Sequence, residues 1–80
     1  MSKTVRYAVV GLGHIAQIAI LPAFAQAKQN SQLVALVSDD PEKLRKLSRR
    51  YGINRVCSYD DADELFQSGD IDAVYIALPN

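Results

Sequence analysis

Residues 7–16 read Tyr-Ala-Val-Val-Gly-Leu-Gly-His-Ile-Ala, a strand-length apolar run that ends in Gly-x-Gly-x-x-Ala and flows into a helical pattern. No other feature constrains the fold of this chain so strongly. A strand that turns at once into a helix presents free backbone N–H groups, which favour an anion. Each position in the motif has a physical task. Gly11 permits the tight turn, Gly13 lets the backbone approach a pyrophosphate with no Cβ in the way, and Ala16 is small enough for close helix–strand packing. Leu12, His14 and Ile15 complete the turn. The alternative is a structural corner whose glycines serve sharpness alone, and the motif by itself does not separate the two.

The rest of the chain supplies context. Apolar runs at residues 7–10, 33–37, 56–59 and 73–78 alternate with three helix-length segments. That alternation reads as an α/β fold, βαβαβαβ with right-handed crossovers, a parallel sheet and strand order 3-2-1-4. Leu-Val-Ala-Leu-Val and Ala-Val-Tyr-Ile-Ala-Leu lack polar alternation, which suits a sheet covered on both faces. Asp40 is placed to cap the second helix, with Pro41 at its first position, Leu44, Leu47 and Tyr51 on one face, and Gly52 as its stop. Asp60 or Asp61 is expected to open the third helix, Leu65 and Phe66 to form its buried side, and Gly69 to end it. Pro22 removes a hydrogen bond from the first helix, so a break near Ile20 and Leu21 and a restart through residues 23–28 are expected.

Composition mainly excludes. Nine basic and nine acidic residues give a formal net charge of zero, so no overall field favours nucleic acid or an acidic membrane surface. Lys43, Arg45, Lys46, Arg49 and Arg50 do crowd the second helix, but no nucleic-acid-reading module accompanies them, and they read as a solvated face. Cys57 is the single cysteine, which rules out a disulfide framework and leaves a small apolar residue of the third strand. His14 is the single histidine; with no second ligand or nucleophile beside it, it reads as a loop residue at the mouth of the glycine turn, its ring within reach of a bound cofactor. Met-Ser-Lys-Thr-Val-Arg is not followed by a signal-peptide apolar region, and no apolar stretch is long enough to cross a bilayer. A cytoplasmic chain is the expectation.

Cofactor choice turns on the end of the second strand. An Asp or Glu about 20 residues past the glycines bonds the adenosine ribose 2′-OH in NAD-binding versions of this unit. Here that place is Ser38, which lacks the carboxylate that repels a 2′-phosphate, and Lys43 follows in the first turn of the next helix. Together they favour NADP(H). Asp39 facing the ribose instead would favour NAD(H), and a plain capping turn over residues 38–40 would favour neither.

Four ordered motifs then carry a resemblance: Tyr-Ala-Val-Val-Gly-Leu-Gly-His-Ile-Ala, Ile-Leu-Pro-Ala-Phe, Ala-Leu-Val-Ser-Asp-Asp-Pro-Glu-Lys and Ile-Asp-Ala-Val-Tyr-Ile-Ala-Leu-Pro-Asn. The chain resembles, over its whole length, the amino-terminal part of the glucose–fructose oxidoreductase, inositol dehydrogenase and rhizopine-catabolism (Gfo/Idh/MocA) family, and most of all its glucose–fructose oxidoreductase branch. The resemblance implies the first half of a Rossmann fold. It implies that Gly11 to Ala16 hold a pyrophosphate, that Ser38 and Lys43 meet the 2′-phosphate of NADP, and that Leu78, Pro79 and Asn80 border the cofactor after the fourth strand. It also implies hydride transfer between a sugar or cyclitol carbon and nicotinamide.

The family's Glu-Lys-Pro motif with its catalytic lysine, and its substrate domain, lie beyond the equivalent of Asn80. These 80 residues are therefore expected not to be catalytically complete. A fourth strand without a fifth beside it exposes an apolar edge, so an isologous homodimer through Ala73, Val74, Tyr75, Ile76 and Leu78 is expected. The alternative to a cofactor-binding unit is a non-enzymatic half-fold that self-associates and binds no specific ligand.

Overall fold

A computed structural model describes residues 4–13, 16–26 and 30–77. Four aliphatic segments pair in parallel: β1 (Val5–Val10), β2 (Ser31–Val37), β3 (Arg55–Cys57) and β4 (Ala73–Ile76). Their order across the sheet is β3-β2-β1-β4, as the alternation of segments predicts. The first two strands begin two residues earlier than their apolar runs, because Val5 and Arg6 pair with Ser31 and Gln32 whatever their polarity. The third is shorter than expected: Tyr59 leaves it for a 3-10 turn, Tyr59–Asp61, closed by the Asp61 N–H on the Ser58 carbonyl at 3.2 Å.

The helices divide between the two faces. Between β1 and β2 the chain forms a π-helical turn, Ala16–Ile20, and then α1 (Leu21–Gln26). The expected break thus appears as a change of hydrogen-bond register between Ile20 and Leu21. Pro22 falls in the first turn of α1, directly after that change, where a residue that cannot donate breaks the ladder running on from the π-helical turn. Residues 27 and 28, the end of the expected restart, lie outside the described residues. α2 (Pro41–Tyr51) follows the sequence reading closely. The Asp40 carboxylate accepts the Glu42 and Lys43 N–H groups at 3.1 and 3.2 Å, and Gly52 ends the helix at φ 68°, a left-handed conformation that glycine adopts without strain.

α3 (Ala62–Gln67) departs from expectation in two ways. Asp61 stands at its N-cap position, as expected, but a 3-10 turn leads into it and the Asp61 carboxylate makes no capping bond. Phe66 is 38% exposed, because Ala62 and Leu65, three residues apart, face the sheet and the neighbour of Leu65 is carried about 100° round the helix. Ser68 then caps the carboxyl end and Gly69, at φ 84°, turns the chain.

Two cores result. Val9, Leu12, Leu21, Leu36, Leu44, Leu47 and Ile53 pack on the α1 and α2 side, with Tyr7 and Phe24 in ring contact at 5.0 Å. Ala8, Ala35, Val37, Ala62 and Leu65 pack on the α3 side. A bulge makes the division work. Tyr7 pairs with Leu33 but Ala8 with Ala35, so Val34 is an extra residue in β2. Strict alternation would set Leu33 and Leu36 on opposite faces; the extra residue sets both against α1 and α2, and leaves small Ala35 beside Ala8 under α3.

β4 is fastened at its start. The Arg6 guanidinium donates to both Asp72 carboxylate oxygens at 3.0 and 3.1 Å and to the Gly69 carbonyl at 3.0 Å, while the Arg6 N–H reaches Asp72 at 2.9 Å. The hydrogen bond that Arg6 donates to Asp72 raises the Arg6 pKa above its ordinary value. Arg55 and Asp70 form a second ion pair near the same crossover. No helix among the described residues is long and apolar enough to cross a membrane.

Candidate functional site

The carboxyl ends of the strands meet along one edge of the sheet. The Gly11 N–H donates to the Val37 carbonyl at 2.8 Å, the Ser38 N–H to the Cys57 carbonyl at 3.1 Å, and the Ala77 N–H to the Val10 carbonyl at 2.8 Å. From β1 the chain builds β2 and β3 on one side, then crosses to place β4 on the other. The carboxyl ends of β1 and β4 therefore flank a topological switch point, the crevice in which open α/β sheets bind ligands.

The glycine turn stands at that crevice, and its residues differ in what holds them. Gly11 has φ 94°, a conformation that costs any residue with a Cβ. Leu12 is buried in the core on the α1 and α2 side and anchors the turn from below. Ala16 is fully buried, so a larger side chain has no room there. Gly13 is different from all three. Its φ is not in the left-handed region, and no described atom outside its chain neighbours lies within 4 Å of where a Cβ would stand. Nothing internal among the described residues explains a glycine at this place. His14 and Ile15 lie outside the described residues, as do Leu78, Pro79 and Asn80 beyond β4.

Ser38 stands at the end of β2, 4% exposed, and its hydroxyl accepts the Asp40 N–H at 3.1 Å. Part of its hydrogen-bonding capacity thus closes the turn into α2; the hydroxyl proton is still available to a partner. Asp40 is engaged as the α2 cap, while Asp39 is exposed. Lys43 is exposed in the first turn of α2 and lines an open groove of about 520 Å³ with Gln17, Asp40, Lys46 and Arg49. The structure therefore brings Ser38 and the glycine turn to one edge, and sets Lys43 on the flank of that edge. A hollow of about 560 Å³ between Phe24 and Tyr51 opens by Thr4 and Ser31, at the amino ends of the strands, away from the turn.

Two further side chains complete the picture. Cys57 is half-buried, and burial, then the charge of Asp61, raises its thiol pKa against a smaller opposing effect of Arg55. A thiol held protonated is a poor nucleophile, in line with a packing role. Gln17, which the motif spacing does not single out, donates from Nε2 to the Leu12 carbonyl at 2.9 Å, and its backbone N–H donates to the Gly13 carbonyl at 3.1 Å. The signal in the sequence is faint: a long amide one residue after Ala16, close enough to reach back over the turn.

Known proteins agree with this geometry. A family model, Gfo/Idh/MocA, described as an oxidoreductase family with an NAD-binding Rossmann fold, matches residues 5–80. An aldose-aldose oxidoreductase from Caulobacter crescentus, solved with glycerol, is 40% identical with TM-score 0.89 over 98% of this chain and 24% of its own. The scyllo-inositol dehydrogenase of Lactobacillus casei, solved with NAD(H) and scyllo-inositol, is 34% identical with TM-score 0.81, over 96% of this chain and 22% of its own. A 3-ketoreductase from Actinomadura kijaniata, solved with NADP and TDP-benzene, is 30% identical with TM-score 0.79, over 96% of this chain and 23% of its own. The chain likewise spans only 22 to 23% of the length of the first curated relatives it matches. With four parallel strands in Rossmann order, a glycine turn at the switch point and a family match from Val5 to Asn80, this chain belongs to the Gfo/Idh/MocA oxidoreductase family.

Proposed function

We propose that these residues hold a nicotinamide dinucleotide for a sugar or cyclitol oxidoreductase, with the pyrophosphate against the turn of Gly11, Leu12, Gly13, His14, Ile15 and Ala16. The observation that carries this reading is the open space at Gly13, where a glycine is kept though neither φ nor crowding by described atoms requires one. A ligand approaching the backbone does require it. Leu78, Pro79 and Asn80, which follow β4 in the sequence, are proposed as further cofactor contacts. Hydride exchange is the chemistry nicotinamide supplies when bound; these residues approach, hydrogen-bond and orient it. The 40% identical aldose-aldose oxidoreductase supports a sugar substrate of the kind glucose–fructose oxidoreductases handle.

Within that reading NADP(H) is preferred over NAD(H), with Ser38 and Lys43 on the 2′-phosphate. Relatives solved with NAD(H) and with NADP both share the fold, so the argument rests on this chain's own residues. Asp40 is engaged in capping α2, its carboxylate held on the Glu42 and Lys43 N–H groups, and Ser38 at the end of β2 carries no charge. Lys43 adds positive charge beside Lys46 on the groove. Because Lys43 is exposed, its contribution is screened, and roughly tenfold is a reasonable scale. Lys43→Ala is expected to weaken NADP(H) about tenfold and NAD(H) by less than about twofold, read as dissociation constants from thermal-shift titrations. Equal affinity of the unaltered protein for both dinucleotides overturns the preference, and no shift with either overturns the reading.

A second reading concerns the sheet edge. Val74, Tyr75 and Ile76 are 40, 42 and 66% exposed, and β4 pairs on one side only among the described residues. Pairing with Ala8 and Val10 sets Val74 and Ile76 on the α3 face, beyond the helix. An unpaired apolar strand recruits another strand. On this observation a symmetric homodimer joins two β4 edges in the 80-residue chain. Sedimentation is expected to find a dimer that Ile76→Lys converts to monomer; a monomer for the unaltered chain excludes it.

A further inference from the structure

We propose that Gln17 is a positioning residue for the dinucleotide, acting by aiming the Gly13 N–H; the inference rests on the reading that the glycine turn holds the pyrophosphate. The argument starts from the planarity of the peptide between Leu12 and Gly13. In a trans peptide the carbonyl of one residue and the N–H of the next point in opposite directions. No cis peptide occurs among the described residues. Gln17 Nε2 donates to the Leu12 carbonyl at 2.9 Å, which fixes that oxygen toward the helix. The N–H in the same plane, that of Gly13, is thereby turned the other way.

The same residue takes the next carbonyl as well. Its backbone N–H donates to the Gly13 carbonyl at 3.1 Å. Two successive carbonyl oxygens are thus drawn onto one residue of the first helical turn. An anion-binding turn needs this arrangement, because a carbonyl oxygen facing a pyrophosphate repels it while an N–H attracts it. Leu12, between the two glycines, is held from below by burial in the core, so the peptide is gripped by an apolar side chain on one side and by the Gln17 amide on the other. Gln17 is half-buried, so its bond to Leu12 is not averaged away by water, and its side chain also lines the groove shared with Lys43. Pre-aiming the donor before the ligand arrives removes an ordering cost from binding.

The role separates from mere packing by its readouts. In the native full-length protein, Gln17→Met keeps the length and the contacts but has nothing to donate. It is expected to weaken the dinucleotide, and ADP-ribose with the same pyrophosphate, each about tenfold, while moving the ligand-free unfolding midpoint by no more than a few degrees. In a Gly13→Ala background the same change is expected to add less than about twofold, since the donor it aims is already blocked. Gln17→Glu covers the case in which the methionine variant fails to fold. Its ionised carboxylate cannot donate, so affinity falls at neutral pH and recovers toward that of the parent as protonation near pH ~4–5 restores an O–H donor. Unchanged dissociation constants in folded Gln17→Met, or a Gln17→Glu variant whose affinity follows the parent's at every pH, overturn the inference while leaving the cofactor reading intact. Failure of the parent to bind either ligand overturns both.

Discussion

Gly13→Ala is expected to fold as well as the parent and to bind dinucleotide at least about a hundredfold more weakly. The two halves of that result come from separate observations. On the folded side, no described atom outside its chain neighbours lies within 4 Å of the new methyl group, and the backbone is not in the left-handed region, so the substitution meets neither clash nor strain. Replacing glycine by alanine at a compatible position also restricts the unfolded chain, which stabilises by roughly 0.4–1 kcal/mol. On the bound side, the methyl group occupies the space through which a pyrophosphate reaches the backbone, and hydrogen bonds worth more than about 2.7 kcal/mol together are lost. Gly11→Ala gives the opposite pattern. At φ 94° an added Cβ costs on the order of 1–3 kcal/mol, so stability falls with or without ligand. Urea unfolding of both variants beside a binding titration distinguishes a ligand glycine from a structural one. If Gly13→Ala binds like the parent, the pyrophosphate does not approach the backbone at Gly13 and the glycine turn is a structural corner.

That contrast also measures what was legible in the residues themselves. Gly-x-Gly-x-x-Ala named both glycines, but spacing treats them alike; only φ and free space show that the first serves the turn and the second what approaches it. Strand order, the α2 cap at Asp40 and its stop at Gly52 were readable because each rests on local chemistry: apolar runs, a short acceptor side chain, a residue tolerant of positive φ. Phe66 and the Val34 bulge were not. Both depend on which side of an element meets the sheet, and a six-residue helix or a five-residue apolar run is too short for its periodicity to mark its faces. Gln17 escaped for a related reason: a side chain that bonds a carbonyl leaves no periodicity. Ser38 was singled out as a ligand contact, and the structure adds a local task, the bond from the Asp40 N–H.

The largest loss of stability is expected at Leu36→Ala. β2 lies between β1 and β3, and Leu36 is fully buried on the side where α1 and α2 close over the sheet. Its side chain packs in the cluster that includes Leu21, Leu44, Leu47 and Ile53, so every element on that face loses contact when it is cut back. Strand backbone cannot move to fill the gap, because β2 is hydrogen-bonded on both edges. Buried Leu→Ala changes cost about 2–5 kcal/mol, increasing with the cavity that remains. A chain of this length has roughly 4–12 kcal/mol in all, at about 0.05–0.15 kcal/mol per residue, so the variant loses a large share of its stability and its unfolding midpoint drops by at least about 10 °C. Ile18→Ala is the control: a side chain of equal volume, 58% exposed on the π-helical turn, whose removal is expected to change stability by less than about 1 kcal/mol. Comparable losses for the two would mean that the face carrying Ile18 is covered in the native protein, and would move the boundary of the core rather than its centre.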